Sequence, residues 1–380
     1  LDFSGTTFNK SIKTTPTRVL KDIPGLKNYR LSDKNTFELS IGNRILSDEV
    51  VENGSIPIYS ANVFEEFGRI DKQNITDFSV PSILWGIDGD WMVNIIPANK
   101  PFYPTDHCGV LRIKTDDIIP KYMALALQVE GEFERFSRSN RASTQRISNL
   151  VIQIPSVIEQ QKVIDEIEAI DKKISDEQAI ISEQSEKVKS KFAEIFGDVN
   201  DNDSRKKIPL LQFAELKDDL RKPVSEIDRL SMQSGVLYSY YGANGKIGTI
   251  NRFLTDFDML CIAEDCGLYN SQEKTAYIVR GKAWVNNHAH IIKPKNEAEL
   301  QYLYYYFYFL DLNDYIKDGL GRNKLTQGNL RNINIAIPQF DDLKEFEDFS
   351  KSCDKLKFEA QKRLGKLNAA REELIDKYFR

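Results

Sequence analysis

The feature that most constrains this chain is an internal repeat. Six short patterns occur twice in the same order, most of them at an offset of about 182 residues. They are a Tyr-x-x-Asn step, a Gly-x-Ile-polar-basic step, an apolar run that ends in acidic residues, a polar-His pair, a Thr-Gln step and an Ile-x-Ile-Pro step. Their positions are residues 59–62 and 241–244, 68–72 and 248–252, 82–88 and 259–265, 106–107 and 287–288, 143–145 and 326–327, and 152–155 and 335–338. An ordered series of this kind predicts a duplicated fold.

Each repeat ends in a long amphipathic stretch. Residues 156–196 contain neither Gly nor Pro, and apolar side chains recur there every three or four positions, as they also do after Pro338. This spacing predicts two helices of about 40 residues, or about 60 Å, with coiled-coil-like seams. Because one narrow apolar stripe on so long a helix needs a partner, we expect the two to pack together as an antiparallel coiled coil. Two ordinary bundle helices are the alternative.

The segments before these helices have the patterns of mixed α and β structure. Helical stretches come late in each, around residues 121–138 and 297–317, and short β-type runs with Gly, Asn and Asp turns precede them. The β-type runs are residues 56–59, 82–87, 91–96, 110–113, 259–262, 276–279 and 290–292. The predicted fold class is therefore α+β, with two repeated domains, each a small mixed sheet or barrel with helices, joined by the two long helices.

The same patterns predict the domain boundaries. The first domain covers residues 1–155, the central long helix 156–198, the second domain 199–337 and the C-terminal long helix 338–380. Residues 1–25 have no counterpart in the second repeat, so they are a possible leader or the tail of an upstream domain. The polar residues 199–207 form the expected hinge between the halves.

Composition narrows the function classes. No apolar run approaches the length of a membrane span, the first residues lack a signal-peptide pattern, and the four cysteines have no paired spacing. We therefore expect a cytoplasmic protein. The formal net charge is −5, which weighs against a protein that coats nucleic acid, because neutralising phosphates requires a basic surface. Any DNA binding must depend on where the positive charges lie.

The sequence resembles the specificity subunit of type I restriction-modification systems. The resemblance extends from about residue 31 to residue 378, and its most telling part is Ile154-Pro155 followed by Glu159-Gln160-Gln161, which is similar to the helix start of that family. The duplicated Tyr-x-x-Asn and Thr-Gln steps also fit. The second repeat departs from the pattern, because residues 341–344 read Asp-Asp-Leu-Lys where the first has its Glu-Gln-Gln step.

The resemblance implies a function without chemistry in this chain. Each half would be a target recognition domain that binds one part of a split site in double-stranded DNA, and the helices would fix the separation of the two parts. The implied partners are adenine methyltransferase subunits, which would dock on the coiled coil, and restriction/translocase subunits. S-adenosylmethionine would be held by the methyltransferase, and this chain would hold no cofactor and would not be an enzyme.

Motifs for catalysis or metal binding are weak in this sequence. It contains neither an Asn/Asp-Pro-Pro-aromatic tetrapeptide nor a Gly-rich cofactor loop. The glycines of residues 242–246 are too close for a phosphate loop, and Asp88-Gly89-Asp90 is more typical of a turn than of a metal loop. His107 and His288 lack zinc spacing, and we expect them to have a structural or groove-facing role. Trp85 and Trp91 are expected in the core.

Candidate DNA contacts come from polar, locally basic loops that recur in both repeats. Arg and Lys can bind phosphates, and Ser, Asn and Gln can reach base edges. The stronger set lies shortly before each Ile-x-Ile-Pro step and comprises Arg138, Arg141, Ser143, Gln145 and Arg146, with Arg322, Lys324 and Gln327 in the second repeat. The weaker set comprises Asn62, Arg69, Lys72, Asn244, Lys246 and Arg252. Solvated loops without a ligand are the alternative.

Two other functions stay open at this stage. The chain could be the specificity region of a single-chain methyltransferase/restriction enzyme, with residues 1–25 as the tail of the catalytic part. It could also be a coiled-coil scaffold whose globular domains bind protein. Because the chain is acidic, we expect weak DNA binding alone and a sharp rise when methyltransferase subunits are added.

Overall fold

The computed structural model describes residues 23, 25–201, 206–265, 267–319 and 322–380. They divide into two compact units. Unit 1 contains the described residues up to Ser175 together with Gly365–Arg380, and unit 2 is Asp176–Leu364. Residues 1–22 and 24 of the possible leader, and residues 202–205 of the expected hinge, lie outside the described residues.

Unit 1 contains nine strands and two short helices in its described part, followed by the start of a long helix. The strands are β1 Lys27–Arg30, β2 Phe37–Ile41, β3 Ile56–Tyr59, β4 Gly68–Ile70, β5 Ser82–Gly86, β6 Val93–Ile96, β7 Tyr103–Pro104, β8 Cys108–Ile113 and β9 Val151–Ile154. The helices are α1 Pro120–Phe133, α2 Thr144–Ser148 and the long α3 Val157–Phe196, with a 3₁₀ turn at Ser47–Glu49.

Unit 2 begins within α3 and has its own strands and helices. The strands are β10 Lys207–Pro209, β11 Glu215–Leu216, β12 Tyr238–Gly242, β13 Gly245–Ile250, β14 Thr255–Asp256, β15 Met259–Ala263, β16 Ala276–Val279, β17 Lys282–Val285, β18 Ala289–Lys293, β19 Lys317–Gly319, β20 Arg322–Lys324 and β21 Asn334–Ala336. The helices are α4 Leu210–Phe213, α5 Glu226–Ser231, α6 Glu297–Phe309, α7 Gln327–Arg331 and the long α8 Phe340–Phe379, with 3₁₀ turns at Asp218–Leu220 and Asn313–Tyr315.

The two units share one sheet topology. Unit 1 has a four-stranded sheet in the order β2-β8-β5-β6, and unit 2 has the matching order β11-β18-β15-β16. A second sheet, β4-β3-β7 in unit 1 and β13-β12-β17-β14 in unit 2, joins an antiparallel hairpin to a parallel neighbour in both. The pairs β1-β9 and β10-β21 also correspond. The duplicated α+β fold is therefore confirmed, with open sheets rather than closed barrels among the described strands.

Each four-stranded sheet is built around a fully buried strand. All five residues of β5 and all five of β15 are buried, as expected for short apolar runs covered on both faces. Trp85 of β5 is fully buried, whereas Trp91 is partly buried and its ring centroid lies 5.1 Å from that of Phe136. The sequence therefore placed both tryptophans correctly in or against the core.

Two helices are shorter than the sequence pattern predicted. The first ends at Phe133 rather than near residue 138, because Arg135 has a positive φ of 56° and a helix cannot continue through it. The second ends at Phe309 rather than near residue 317, since Leu310 is extended, with ψ of 128°. After the end of each helix, a polar segment leads to the next short helix.

In unit 1 the start of α3 and the end of α8 pack side by side against α1. Asp171 accepts from Arg371 at 2.6 Å and Glu166 accepts from Tyr378 at 2.9 Å, so within this unit the two helices run antiparallel. Their apolar faces enter the unit's core through Val163, Ile164, Ile167, Ile375, Tyr378 and Phe379. The coiled-coil-like stripe of the sequence therefore serves as the core-facing stripe here.

In unit 2 the end of α3 and the start of α8 pack around an aromatic cluster. The Phe192 ring lies 5.2 Å from Phe346 of α8 and is stacked on Tyr302 of α6 at 5.9 Å between centroids. Two hydroxyls of α6 extend this core to β21, because Tyr302 donates to the Ala336 carbonyl at 2.7 Å and Tyr306 donates to that of Asn334 at 3.0 Å. The long helices are thus anchored in unit 2 by aromatic packing.

The Glu-Gln-Gln step at the start of α3 has a structural role. Gln160 is fully buried, and its amide accepts from the Ile119 N–H at 2.7 Å while donating to the carbonyls of Asp117 and Pro155 at 2.8 and 2.9 Å. These bonds fasten the start of α3 to the start of α1. In unit 2 the corresponding position holds Leu343, which is also buried. The departure from the motif therefore replaces the hydrogen bonds of a buried amide with the packing of an apolar side chain.

No helix in the described part of the chain combines the length and apolar character needed to cross a membrane.

Candidate nucleic-acid interface

In unit 1 the basic loop between α1 and α2 is tied to the end of the central strand. Ala142 donates its backbone N–H to the Ile87 carbonyl at 2.9 Å, just beyond β5. The Arg146 side chain bonds the Arg141 carbonyl at 2.9 Å and the Asn140 side chain at 2.5 Å, and its guanidinium lies 4.7 Å from the centre of the Phe136 ring. The loop therefore has a defined conformation.

A carboxylate at the end of β5 gathers two exposed groups. Asp88 accepts from Arg141 at 3.0 Å and lies 2.8 Å from Nδ1 of His107. The Asp88 side chain is 24% exposed, whereas those of His107 and Arg141 are 46% and 56% exposed. The acid thus lies beneath the imidazole and the guanidinium and leaves both open to a ligand.

Unit 2 repeats this arrangement at the end of β15. Nδ1 of His288 lies 2.8 Å from Asp265, and Lys324 lies 2.8 Å from Glu264, the residue before Asp265. The Lys324 and His288 side chains are each 46% exposed, against 12% for Glu264 and 15% for Asp265. Leu325 donates its N–H to the Glu264 carbonyl at 2.8 Å, as Ala142 does to Ile87. The two units therefore hold a histidine and a loop cation over acidic strand ends in the same topological place.

Beneath Lys324 lies a buried ionic network that has no counterpart in the unit 1 cluster just described. Asp218 bonds His290 at 2.7 Å, Arg221 at 3.0 Å and Gln327 at 3.1 Å, and Arg221 also pairs with Glu264. Burial alone would raise the pKa of Asp218, but its bonds to His290, to the Ile291 amide and to Arg221 outweigh burial, so its pKa is lowered. The Asp218 carboxylate is therefore ionised at neutral pH.

Glu264 and Lys324 also stabilise each other's charged forms. Burial alone would raise the pKa of Glu264, but hydrogen bonds from Lys324 and Arg221 outweigh it and lower that pKa. The hydrogen bond to Glu264 in turn raises the pKa of the Lys324 ammonium. Both groups are therefore charged at neutral pH, and Lys324 presents a fixed positive charge.

The Tyr-x-x-Asn step ends beside these clusters in both units. Thr105 donates its N–H to the Tyr59 carbonyl at 2.9 Å, and Asn286 donates to that of Tyr241 at 3.0 Å, two residues before the histidine in each case. A Cβ added at Gly86 would overlap the Ala61 carbonyl oxygen, so glycine is needed for this close approach. Asn62, Asp88, His107 and Arg141 therefore belong to neighbouring segments.

The structure brings together part of the predicted contact set. Arg141 and Lys324 belong to the two clusters, and Ser143 caps α2 by accepting from the Arg146 N–H, as Thr326 caps α7. Gln327 donates a hydrogen bond to Asp218, and Arg146 is hydrogen-bonded within its own loop. The side chains of Gln327 and Arg146 therefore stabilise the loops rather than extend from them. Arg138 and Gln145 are exposed, and the side chain of Arg322 lies outside the described part of the chain.

The weaker predicted set is more dispersed. Asn62 closes a turn by accepting from the Phe64 N–H at 3.0 Å. Arg69 pairs with Glu66 at 3.8 Å, and Lys72 pairs with Glu49. Asn244, Lys246 and Arg252 are exposed on and beside the β12–β13 hairpin.

Sequence reasoning missed the carboxylates beneath the exposed cations and the buried arginine that pairs with two of them. Asp218, Arg221, Glu264 and Asp265 were not singled out, and Asp88 was interpreted as a turn residue. The available signal was the acidic end of both apolar runs, which we used to identify the repeat but not the site, together with a histidine that lies 34 residues before Arg141 and 36 residues before Lys324. Asp218 and Arg221 belong to a segment before the second repeat of motifs, so no pattern pointed to them.

This arrangement is suited to binding a polyanion that also presents hydrogen-bonding edges on its bases. Exposed Arg, Lys and His side chains can bind phosphates, while carboxylates and loop amides can accept from or donate to base edges. Among the residues that the structure describes, no group of three or more His, Cys, Asp or Glu side chains is placed to hold a metal ion.

Comparisons with known proteins agree with these observations. A family model described as the type I restriction modification DNA specificity domain matches residues 27–184 and again residues 197–372. A putative type I restriction enzyme specificity subunit of Haemophilus influenzae is 31% identical over 130 residues, which is 34% of this chain and 32% of that protein. The N-terminal part of a putative type I specificity subunit of Mycoplasma pneumoniae is 28% identical over 108 residues, 28% of this chain and 56% of that protein. The matches thus span about a third to just over half of these relatives.

The fold also has a solved counterpart. The S subunit of a type I restriction-modification system from M. genitalium superposes with a TM-score of 0.62 at 17% identity, over 96% of this chain and 98% of that one. This likeness supports the fold alone. The family model and the curated relatives describe specificity components, which are not catalytic. The family model matches the chain twice, and the two matches together cover most of the chain. The chain therefore belongs to the type I restriction modification DNA specificity domain family.

Proposed function

We propose that this chain recognises a bipartite site in double-stranded DNA, with one target recognition domain for each part. The two domains are residues 1–155 and 199–337, followed by the long helices 156–198 and 338–380. The observation that carries the proposal is the repeated cluster: Arg141 with His107 in one unit and Lys324 with His288 in the other, each over an acidic strand end.

The differences between the two clusters support different half-sites. An arginine can donate two parallel hydrogen bonds to a guanine edge or a phosphate, whereas a lysine acts as a point charge. Unit 1 presents the guanidinium of Arg141 and unit 2 the ammonium of Lys324. Two copies of one fold with different exposed donors are suited to two unlike sequences.

The partner proteins follow from family membership as part of the proposal. The long helices would dock adenine methyltransferase subunits, which would hold S-adenosylmethionine, and the complete assembly would include restriction/translocase subunits. The net charge of −5 limits the electrostatic attraction of the free chain for DNA. Methyltransferase subunits that clasp the duplex would supply the missing positive surface, so affinity should rise sharply on their addition.

The proposal is tested by removing the two cluster cations separately. Arg141→Ala and Lys324→Ala are compared with Arg280→Ala and Lys282→Ala, whose side chains are similarly exposed, at 46% and 47%, and are also paired with a carboxylate. Binding of the chain, assembled with its methyltransferase, is measured on its target duplex over a range of salt concentrations. Each cluster variant should lose about 1–3 kcal/mol of binding free energy if a base contact is lost, or about one unit of salt slope if a phosphate contact is lost.

The control variants should bind as the unchanged chain does. Losses of equal size in all four variants would mean that the clusters have no special part in binding. Unchanged binding in Arg141→Ala and Lys324→Ala would favour a scaffold whose domains bind protein.

A further inference from the structure

One loop residue in unit 1 is held through both of its backbone groups. Ala142 donates its N–H to the Ile87 carbonyl at 2.9 Å, and its own carbonyl accepts from the indole Nε1 of Trp85 at 2.9 Å. Trp85 is fully buried on β5, and its cross-strand neighbour on β8 is Gly109. A Cβ at Gly109 would overlap the Trp85 ring, so the indole fills the space that a side chain at position 109 would need.

The corresponding residue in unit 2 is held in the same way by a different donor. Leu325 donates its N–H to the Glu264 carbonyl at 2.8 Å, and its carbonyl lies 2.8 Å from Nε2 of His290. His290 is fully buried on β18, and its cross-strand neighbour on β15 is Ile262. The donating side chain therefore lies on the central strand β5 in unit 1. In unit 2 it lies on β18, the strand that pairs with the central strand β15.

We propose that Trp85 and His290 are equivalent positioning residues, each fixing the DNA-contacting loop of its own domain by donating a buried N–H to the same backbone carbonyl. The inference rests on the proposed function, because it assigns DNA binding to the loops that carry Arg141 and Lys324. A buried carbonyl left without a donor costs free energy, so each loop keeps its conformation only while its anchor is present.

The two anchors differ in chemistry. The carbonyl of Leu325 can only accept, so Nε2 of His290 must carry hydrogen. Nδ1 of the same ring lies 2.7 Å from the Asp218 carboxylate, so the imidazole bridges the loop and the buried network, whereas the Trp85 indole contributes one N–H donor only.

The buried residues around His290 connect this anchor to the exposed cation of the loop. Asp218 faces the imidazole from the 3₁₀ turn, and Glu264 lies 3.9 Å from Nε2. Arg221 and Lys324 are paired with these two acids. The anchor of unit 2 is therefore continuous with the ion pairs that hold Lys324.

The test uses the full chain with Trp85→Phe and His290→Leu, which remove the N–H but keep most of the bulk. Trp284→Phe is the matched control, because its buried indole donates to the Lys222 carbonyl at 2.7 Å, away from either loop. Hydrogen exchange should rise by about tenfold or more at the Ala142 amide in the first variant and at the Leu325 amide in the second. The control should change neither amide.

A second measurement selects targets from a pool of randomised duplexes, with the full chain assembled with its methyltransferase. Trp85→Phe should weaken sequence preference in one half of the selected motif, and His290→Leu in the other half. The double variant I262W/H290G, which copies the unit 1 pair, should restore preference in the half that His290→Leu weakens.

The outcomes separate the two ideas. If the unchanged chain selects no motif, the proposed function fails, and amide exchange still decides whether the anchors exist. A selected motif that stays intact in both halves in Trp85→Phe and His290→Leu would overturn the positioning role. So would amide exchange no faster than in Trp284→Phe.

Discussion

Removing Asp218 should destabilise unit 2 by several kcal/mol. Its side chain is 6% exposed and accepts hydrogen bonds from Arg221, His290, Gln327 and the Ile291 amide. Asp218→Ala leaves the largely buried guanidinium of Arg221 and the imidazole of His290 without this acceptor, and breaking a buried ion pair in this way costs about 3–5 kcal/mol. For a unit the size of Asp176–Leu364, each kcal/mol lowers the melting temperature by about 2–4 °C, so a fall of roughly 6–20 °C is expected.

Thermal unfolding followed by calorimetry and circular dichroism measures this effect. The matched control is Asp256→Ala, whose carboxylate is 59% exposed and lies 4.0 Å from Lys282; it should cost less than about 1 kcal/mol. Because the pKa of Asp218 is lowered by folding, its contribution is complete above the carboxyl pKa of the unfolded chain. It is lost as the pH falls through the lower folded pKa, so the gap between the unchanged chain and Asp218→Ala should narrow in acid. A melting temperature within the range of the control would refute the reasoning.

Three further predictions concern the cores of the two units. Phe192→Ala should cost unit 2 about 3–5 kcal/mol in a thermal melt, because the ring is 2% exposed and fills an aromatic cluster; a loss below 1 kcal/mol would contradict that packing. Gln160→Leu, which copies Leu343 of unit 2, should cost unit 1 about 1–3 kcal/mol by leaving the Ile119 N–H unpaired, and a stabilised variant would show that the fastening is dispensable. Cys108 and Cys261 should resist alkylation until the chain unfolds, since burial raises the pKa of both thiols to about 12; peptide mass spectrometry after iodoacetamide treatment checks this, and rapid native labelling would contradict it.

Local patterns in the sequence predicted the elements with a strong local signal. The run at residues 276–279 coincides with β16, and the three- and four-residue spacing placed α3 and α8 within one or two residues of their observed ends. Such elements follow from the alternation of burial along one stretch of chain. The duplicated motifs also correctly predicted two copies of one fold, because each motif marks a strand end or helix start that both units share.

What depended on distant pairing could not be predicted. Strand β1 pairs with β9 across more than a hundred residues, with Lys27 opposite Ile154, and no local pattern identifies such a partner. The buried network of unit 2 likewise joins Asp218 to His290 and Gln327 from three separate segments. The anchors Trp85 and His290 do not align in sequence, because they lie on different strands. Only the register of the sheets shows that both donate to the equivalent loop carbonyl.

The central claim is that two clusters of one design bind two parts of a split DNA site. Its most direct test is to co-express the chain with its methyltransferase and to map methylated adenines across the host genome, for the unchanged chain and for Arg141→Ala and Lys324→Ala. The account predicts a split motif with a spacer of fixed length, in which each variant loses preference in one half only. A continuous motif, or variants that relax both halves equally, would contradict it.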